Sequence, residues 1–126
     1  MPASPRAVEL ALAAAQAAAD KLAKDILLLD VSAQLVITDV FLLASAENDR
    51  QVLAAVDAIE ERLRDLGAKP LRREGEKEGR WVLLDFGDVV VHVQHQEERV
   101  YYALERLWKD CPVIPFVDAS APAAQQ

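Results

Sequence analysis

The side chains that could do chemistry in this chain are His92, His95, Asp30, Asp39, Asp85, Asp88 and Cys111. A histidine beside a carboxylate can move a proton. His92 and His95 are the only histidines. They straddle a strand end rather than sharing one face of a helix, so they do not form the HxxxH pattern of a zinc helix. No serine or cysteine nucleophile is placed to use either ring, and both read as structural. Aspartates at strand ends can hold Mg²⁺ for phosphoryl or nucleotidyl transfer. Here no two of them stand two apart on one strand to share an ion. The phosphate-cradling patterns GxxxxGK[ST] and GxGxxG are both absent. Gly75 and Gly79 frame an acidic turn, which repels phosphate. Cys111 is the single cysteine, so an internal disulfide and a cysteine-based zinc site are excluded. The expectation is therefore no catalytic site, no metal and no cofactor.

A second set of residues has different uses. Arg80 and Trp81 open one apolar run, and Arg99, Tyr101, Tyr102 and Arg106 cluster near the last one. Trp, Tyr and Arg are the usual anchors of protein interfaces. They serve equally well as core or rim packing, and periodicity alone does not separate the two uses.

The elements that must position these residues follow from spacing. Ser4-Pro5 is a helix start. Val8, Leu12, Ala15, Ala19 and Leu22 then repeat as one helical face, running on toward Lys24. Asp25 to Val31 is a short apolar run bounded by acids, which reads as a strand buried on both faces. A second strand is expected from Leu35 to Ala44, rich in Val, Ile, Thr and Phe. Asp39 would then fall in its middle. An unpaired buried carboxylate costs several kcal/mol, so Asp39 must be paired, protonated or near the end of the sheet. Val52, Val56, Ile59, Leu63 and Leu66 mark the clearest helix, and Gly67 closes it. Lys69 to Arg73 reads as a short edge strand, where Pro70 is tolerated. Trp81–Phe86 and Val89–Val93 flank Gly87-Asp88 as a hairpin. A last helix is expected to bury Val100, Leu104, Leu107 and Trp108, and Pro112 and Pro115 end it. The order predicts an α/β (α+β) domain, with a mixed sheet of about five strands flanked by helices. One domain is expected over residues 1–117, with a disordered tail over 118–126.

Composition narrows the partners. The chain of 126 residues carries 14 basic and 21 acidic side chains, a net charge of −7. Direct nucleic-acid binders neutralise phosphates with clustered Lys and Arg, so little or no nucleic-acid binding is expected. An acidic domain suits a basic protein partner. No apolar run approaches the ~20 residues that a membrane span needs. No membrane association and a cytoplasmic location are expected.

The order of several short motifs resembles one known family. Asp25-Ile26, Asp30-Val31 and Ile37-Thr38-Asp39 come first. Glu74-Gly75, Trp81, Asp85, Gly87-Asp88 and Val91-His92-Val93 follow. Arg99, Tyr102, Leu104-Glu105 and Leu107-Trp108 close the run. Over Leu22 to Trp108 this pattern is similar to the ribosomal silencing factor (Iojap-like) family. Ala46-Glu47-Asn48-Asp49 departs from the family's Gly/Thr/Ser-rich loop, and Gln51 replaces its histidine.

The resemblance implies a nucleotidyltransferase-like fold without a known activity. It implies binding to a large-subunit ribosomal protein, number fourteen of that subunit, and steric blocking of subunit association, which represses translation under nutrient limitation. Homodimers are implied as well. Signature matches and anchor chemistry together nominate Asp39, Arg80, Trp81, Asp88, His92, Arg99 and Tyr102 as partner-binding residues; Arg80 alone lies outside the signature. Two rival functions share the fold or the docking site: a metal-dependent nucleotidyltransferase and a large-subunit assembly factor.

Overall fold

In the computed structural model, which describes residues 2–120, the first helix starts where Ser4 caps it. The Ser4 hydroxyl accepts from the Ala7 N–H, and Pro5 occupies the first helical position. Helix α1 spans Pro5–Asp20, and β1 spans Lys24–Asp30. Strand β2 is Val40–Ala46, and α2 is Asp49–Asp65. Strands β3 (Arg72–Glu74), β4 (Trp81–Asp85) and β5 (Val89–His95) follow, and α3 (Gln96–Tyr102) and α4 (Leu104–Leu107) end the order. The five strands form one sheet in the order β1-β2-β5-β4-β3. Strands β2 and β5 run parallel and every other pair is antiparallel, so the sheet is mixed.

One face of the sheet carries the main core. Leu28, Leu42, Ala44, Val82, Leu84, Val91 and Val93 point there and pack beneath α1 and α2. Helix α2 buries Val52, Val56, Ile59 and Leu63 as its spacing predicts, and Gly67 closes it at φ +88°. The hairpin also forms as expected. Its turn contains Gly87 at φ +89°, a left-handed conformation that glycine adopts at little cost. The short edge strand starts three residues later and ends one residue later than expected, and lies at the outer edge of the sheet.

Several expectations are corrected. Helix α1 buries Ala15 and Ala19 as expected, together with Ala7, Leu10, Ala11, Ala14 and Ala18, while Val8 and Leu12 lie at its flank. Small residues face α2 because they let the two backbones approach closely. The helix stops at Asp20, and Leu22 is exposed at φ +67°. Strand β1 is an edge strand; the backbone of Pro112–Ile114 covers it through Asp30 N–H to Pro112 O (2.8 Å) and Ile114 N–H to Leu28 O (2.9 Å). The second strand begins at Val40, five residues later than its apolar run suggests. Val31 and Asp39 close a loop (Val31 N–H to Asp39 O, 2.9 Å) that carries Val36 and Ile37 out into solvent. The last helix is two pieces. Ala103 adopts a left-handed conformation (φ 44°, ψ 52°) that breaks the helical phase, so Val100 and Leu107 are exposed rather than buried. At the C-terminal end, Asp118 and Ala119 are held by the Gln16 side chain (2.9 and 2.8 Å). Residues 121–126 of the expected disordered tail lie outside the described residues.

Candidate functional site

The other face of the sheet is only partly covered. Strand alternation puts Phe41 and Leu43 from β2 there, Trp81 and Leu83 from β4, and Val90 and His92 from β5. Helix α3 and Trp108 cover part of it, while Trp81, Leu83 and Val90 remain half-exposed. A continuous run of ring contacts crosses this face. Trp108 meets Phe41 edge-on at 5.2 Å, and Phe41 meets His92 edge-on at 5.5 Å. Trp81 lies against Tyr102 at 4.8 Å, and Tyr102 against Tyr101 at 4.9 Å. Such pairs contribute about 0.5–1.5 kcal/mol each beyond area burial.

His92 joins the two halves. Its Nδ1 accepts from the Trp81 indole N–H at 3.1 Å, which leaves the proton of the neutral ring on Nε2. Burial pushes its pKa down to about 4. The ring is thus a neutral acceptor that orients the indole, rather than a base poised near neutrality.

The structure brings together only some of the nominated residues. Trp81, His92 and Tyr102 form the aromatic centre. Arg99, on α3, is 7% exposed and pairs with Glu105 through Nε at 3.2 Å. Arg80 lies at the C-terminal end of β5, where it bonds Glu97 (2.9 Å) and Glu98 (3.1 Å) and approaches Asp49 (3.8 Å). It fastens the start of α3 to the body. Asp39 and Asp88 sit at the opposite end of the sheet. The Asp88 carbonyl accepts from the N–H groups of Asp39 and Val40. The Asp39 carboxylate accepts from the Ser4 N–H at 2.9 Å, and Asp30 does the same for Ala3 at 2.9 Å. Burial alone would raise the Asp30 pKa, but bonds from Ser32 and Ala3 hold it below the usual range. Both aspartates therefore anchor the segment leading into α1. Asp39 is bonded and near the end of the sheet, two of the three states its burial allows.

Sequence reasoning passed over Phe41, Leu83 and Val90 as surface elements. The odd-even alternation of Trp81, Leu83 and Asp85 carried the signal, because β4 shows half-exposed residues at each of those positions. Among the described residues no three His, Cys, Asp or Glu side chains converge to hold a metal ion. No helix among them is long and apolar enough to cross a membrane.

A five-stranded mixed sheet with two helices on one face and a partly covered aromatic face on the other defines a small α/β domain. The comparisons give the family. The family described as ribosomal silencing factor during starvation matches residues 4–126, and the chain belongs to it. A ribosomal silencing factor of Bacillus subtilis is 46% identical over 100 residues, covering 79% of this chain and 85% of that protein. The chloroplastic Iojap protein of Arabidopsis thaliana is 38% identical over 121 residues, covering 92% of this chain and 48% of that longer one. A crystal structure of a Chromobacterium violaceum protein superposes with a TM-score of 0.78 at 34% identity, covering 93% of this chain and 94% of that one.

Proposed function

We propose that this protein is a ribosomal silencing factor that docks its open sheet face on protein fourteen of the large ribosomal subunit. Bound there, it obstructs the small subunit and represses translation when nutrients are short. The observation that carries the reading is the partly exposed Trp81, backed by His92 and flanked by Tyr102, on a sheet face that α3 covers only in part. Exposed Leu107 adds apolar area nearby. A specific interface buries about 800 Å² per partner, the area that this docking has to bury. Blocking by bulk needs affinity and position but no catalytic group.

The same apolar face suits a second copy of the chain. Self-association there competes with docking, and light scattering at rising concentration measures it.

The test is sedimentation of purified large and small subunits with the protein added. The expected result is co-migration with the large subunit and a smaller joined peak. Trp81→Ala should lose most of both effects, since truncating an interface anchor costs ~2 kcal/mol or more. A wild-type protein that stays at the top of the gradient, with joining intact, would overturn the proposal.

A further inference from the structure

Arg99 is a buried cation with too few partners. Its Nε bonds Glu105, but among the described residues its Nη1 is buried with no acceptor. A guanidinium presents five donors in a planar fork that suits a carboxylate taken through two of them. Buried charge left half-paired is costly and uncommon. Gln94 is fully buried on the same sheet face, and both of its amide atoms also lack partners. Its register partner on β2 is Ser45.

Ser45 and Arg99 both line one cleft of about 540 Å³. That volume lies in the range of small-molecule sites. Exposed Val100 and Tyr101 give the cleft an apolar wall, while Asp25 and Glu97 add two carboxylates. A second cleft of about 370 Å³ adjoins it through shared Asp25, Arg99 and Val100. The surroundings are thus the under-paired Arg99, the carboxylate of Asp25, Glu97 held by Arg80, and an apolar wall, with Glu105, the partner of Arg99, and Arg106 lining the second cleft. A simple anion satisfies Arg99 but meets repulsion from Asp25 and Glu97. A simple cation satisfies the acids but leaves Arg99 as it is.

We propose that this cleft binds a small zwitterion with an apolar body, of the α-amino acid or short-peptide class. The ligand carboxylate takes the free edge of Arg99, its ammonium takes Asp25, and its side chain lies on Val100 and Tyr101. Nη1 is closed to solvent in this conformation, so the carboxylate reaches it as α3 tilts outward. Helix α3 is only seven residues long and ends at left-handed Ala103, which makes it an element of low local stability. The site adjoins the Trp81 centre through Tyr101, which meets Tyr102 at 4.9 Å, but does not rest on ribosome docking.

The test is amide NMR of the full chain titrated with L-phenylalanine, phenylalaninamide, N-acetylphenylalanine and the dipeptide Phe-Phe. Phenylalanine or the dipeptide should move the Ser45, Val100 and Tyr101 resonances. The amide and the acetylated form, each lacking one charge, should bind at least tenfold more weakly, a difference of about 1.4 kcal/mol. Tighter binding of the dipeptide points to a peptide end as the natural source, and tighter binding of the free amino acid to a metabolite. Arg99→Gln should abolish the shifts. Val100→Glu, at an exposed position, should do so with an unchanged melting temperature, and it keeps the test valid if the Arg99 variant fails to fold. No shifts with either zwitterion at millimolar concentration, or equal binding of the singly charged analogues, overturns the proposal.

Discussion

His92 illustrates how one buried ring can serve position rather than proton transfer. Its pKa is about 4 when folded and near 6.5 when free. The unfolded chain therefore takes up a proton first as pH falls. The stability held by the neutral ring is complete above about pH 6.5 and drains away as pH drops toward about 4, by at most roughly 3 kcal/mol. His92→Gln should flatten that acid limb, and urea midpoints measured from pH 7 down to pH 4 check it. Trp81→Phe isolates the indole N–H. A phenyl ring keeps the stack against Tyr102 but leaves His92 Nδ1 without its donor. An unsatisfied buried acceptor costs about 1–3 kcal/mol, and urea unfolding at pH 7 should show a loss in that range. Equal stability of Trp81→Phe and wild type would sink the orienting role. At this scale the sequence located the aromatic centre but not the work of each member. Asp39 and Arg99 match the same pattern as Trp81, yet one holds the start of α1 and the other is the buried residue of α3. Signature matches do not separate a residue kept for docking from one kept for framework.

The elements split by how much of their conformation is periodic. Helix α2 and the hairpin were legible because apolar spacing and a glycine turn both specify them locally. The second strand was not. Val36-Ile37 looks like strand, and only the tertiary bond between Val31 and Asp39 turns it into a loop. The break at Ala103 was also hidden, since alanine is a good helix former and gives no sign of a left-handed residue. That conformation costs a non-glycine residue about 1–2 kcal/mol. Ala103→Gly should therefore stabilise the protein by about 0.5–1 kcal/mol; a lower melting temperature would show that the strain is absent. The phase of α1 was misread because alanine signals burial weakly. Its consequence is close packing of Ala14 against the core, with no exposed surface. Ala14→Leu should overfill that contact and cost about 1–3 kcal/mol, measurable by thermal unfolding.

At the scale of the whole molecule, charge and shape act on different steps of binding. The open aromatic face is small and apolar, so it governs how long a docked complex lasts. The net charge of −7 acts over distance and governs how fast a basic partner arrives. Raising salt from ~0.1 M to ~1 M shortens the screening length from about 10 Å to about 3 Å. Docking onto the isolated large-subunit protein should then slow in association by roughly tenfold, with dissociation changing little. Trp81→Ala should show the reverse pattern, with association nearly unchanged and dissociation faster. Stopped-flow mixing resolves the two rates. If salt instead changes dissociation and Trp81→Ala changes association, the acidic surface lies inside the contact, and the proposed division between a steering charge and a holding face is wrong.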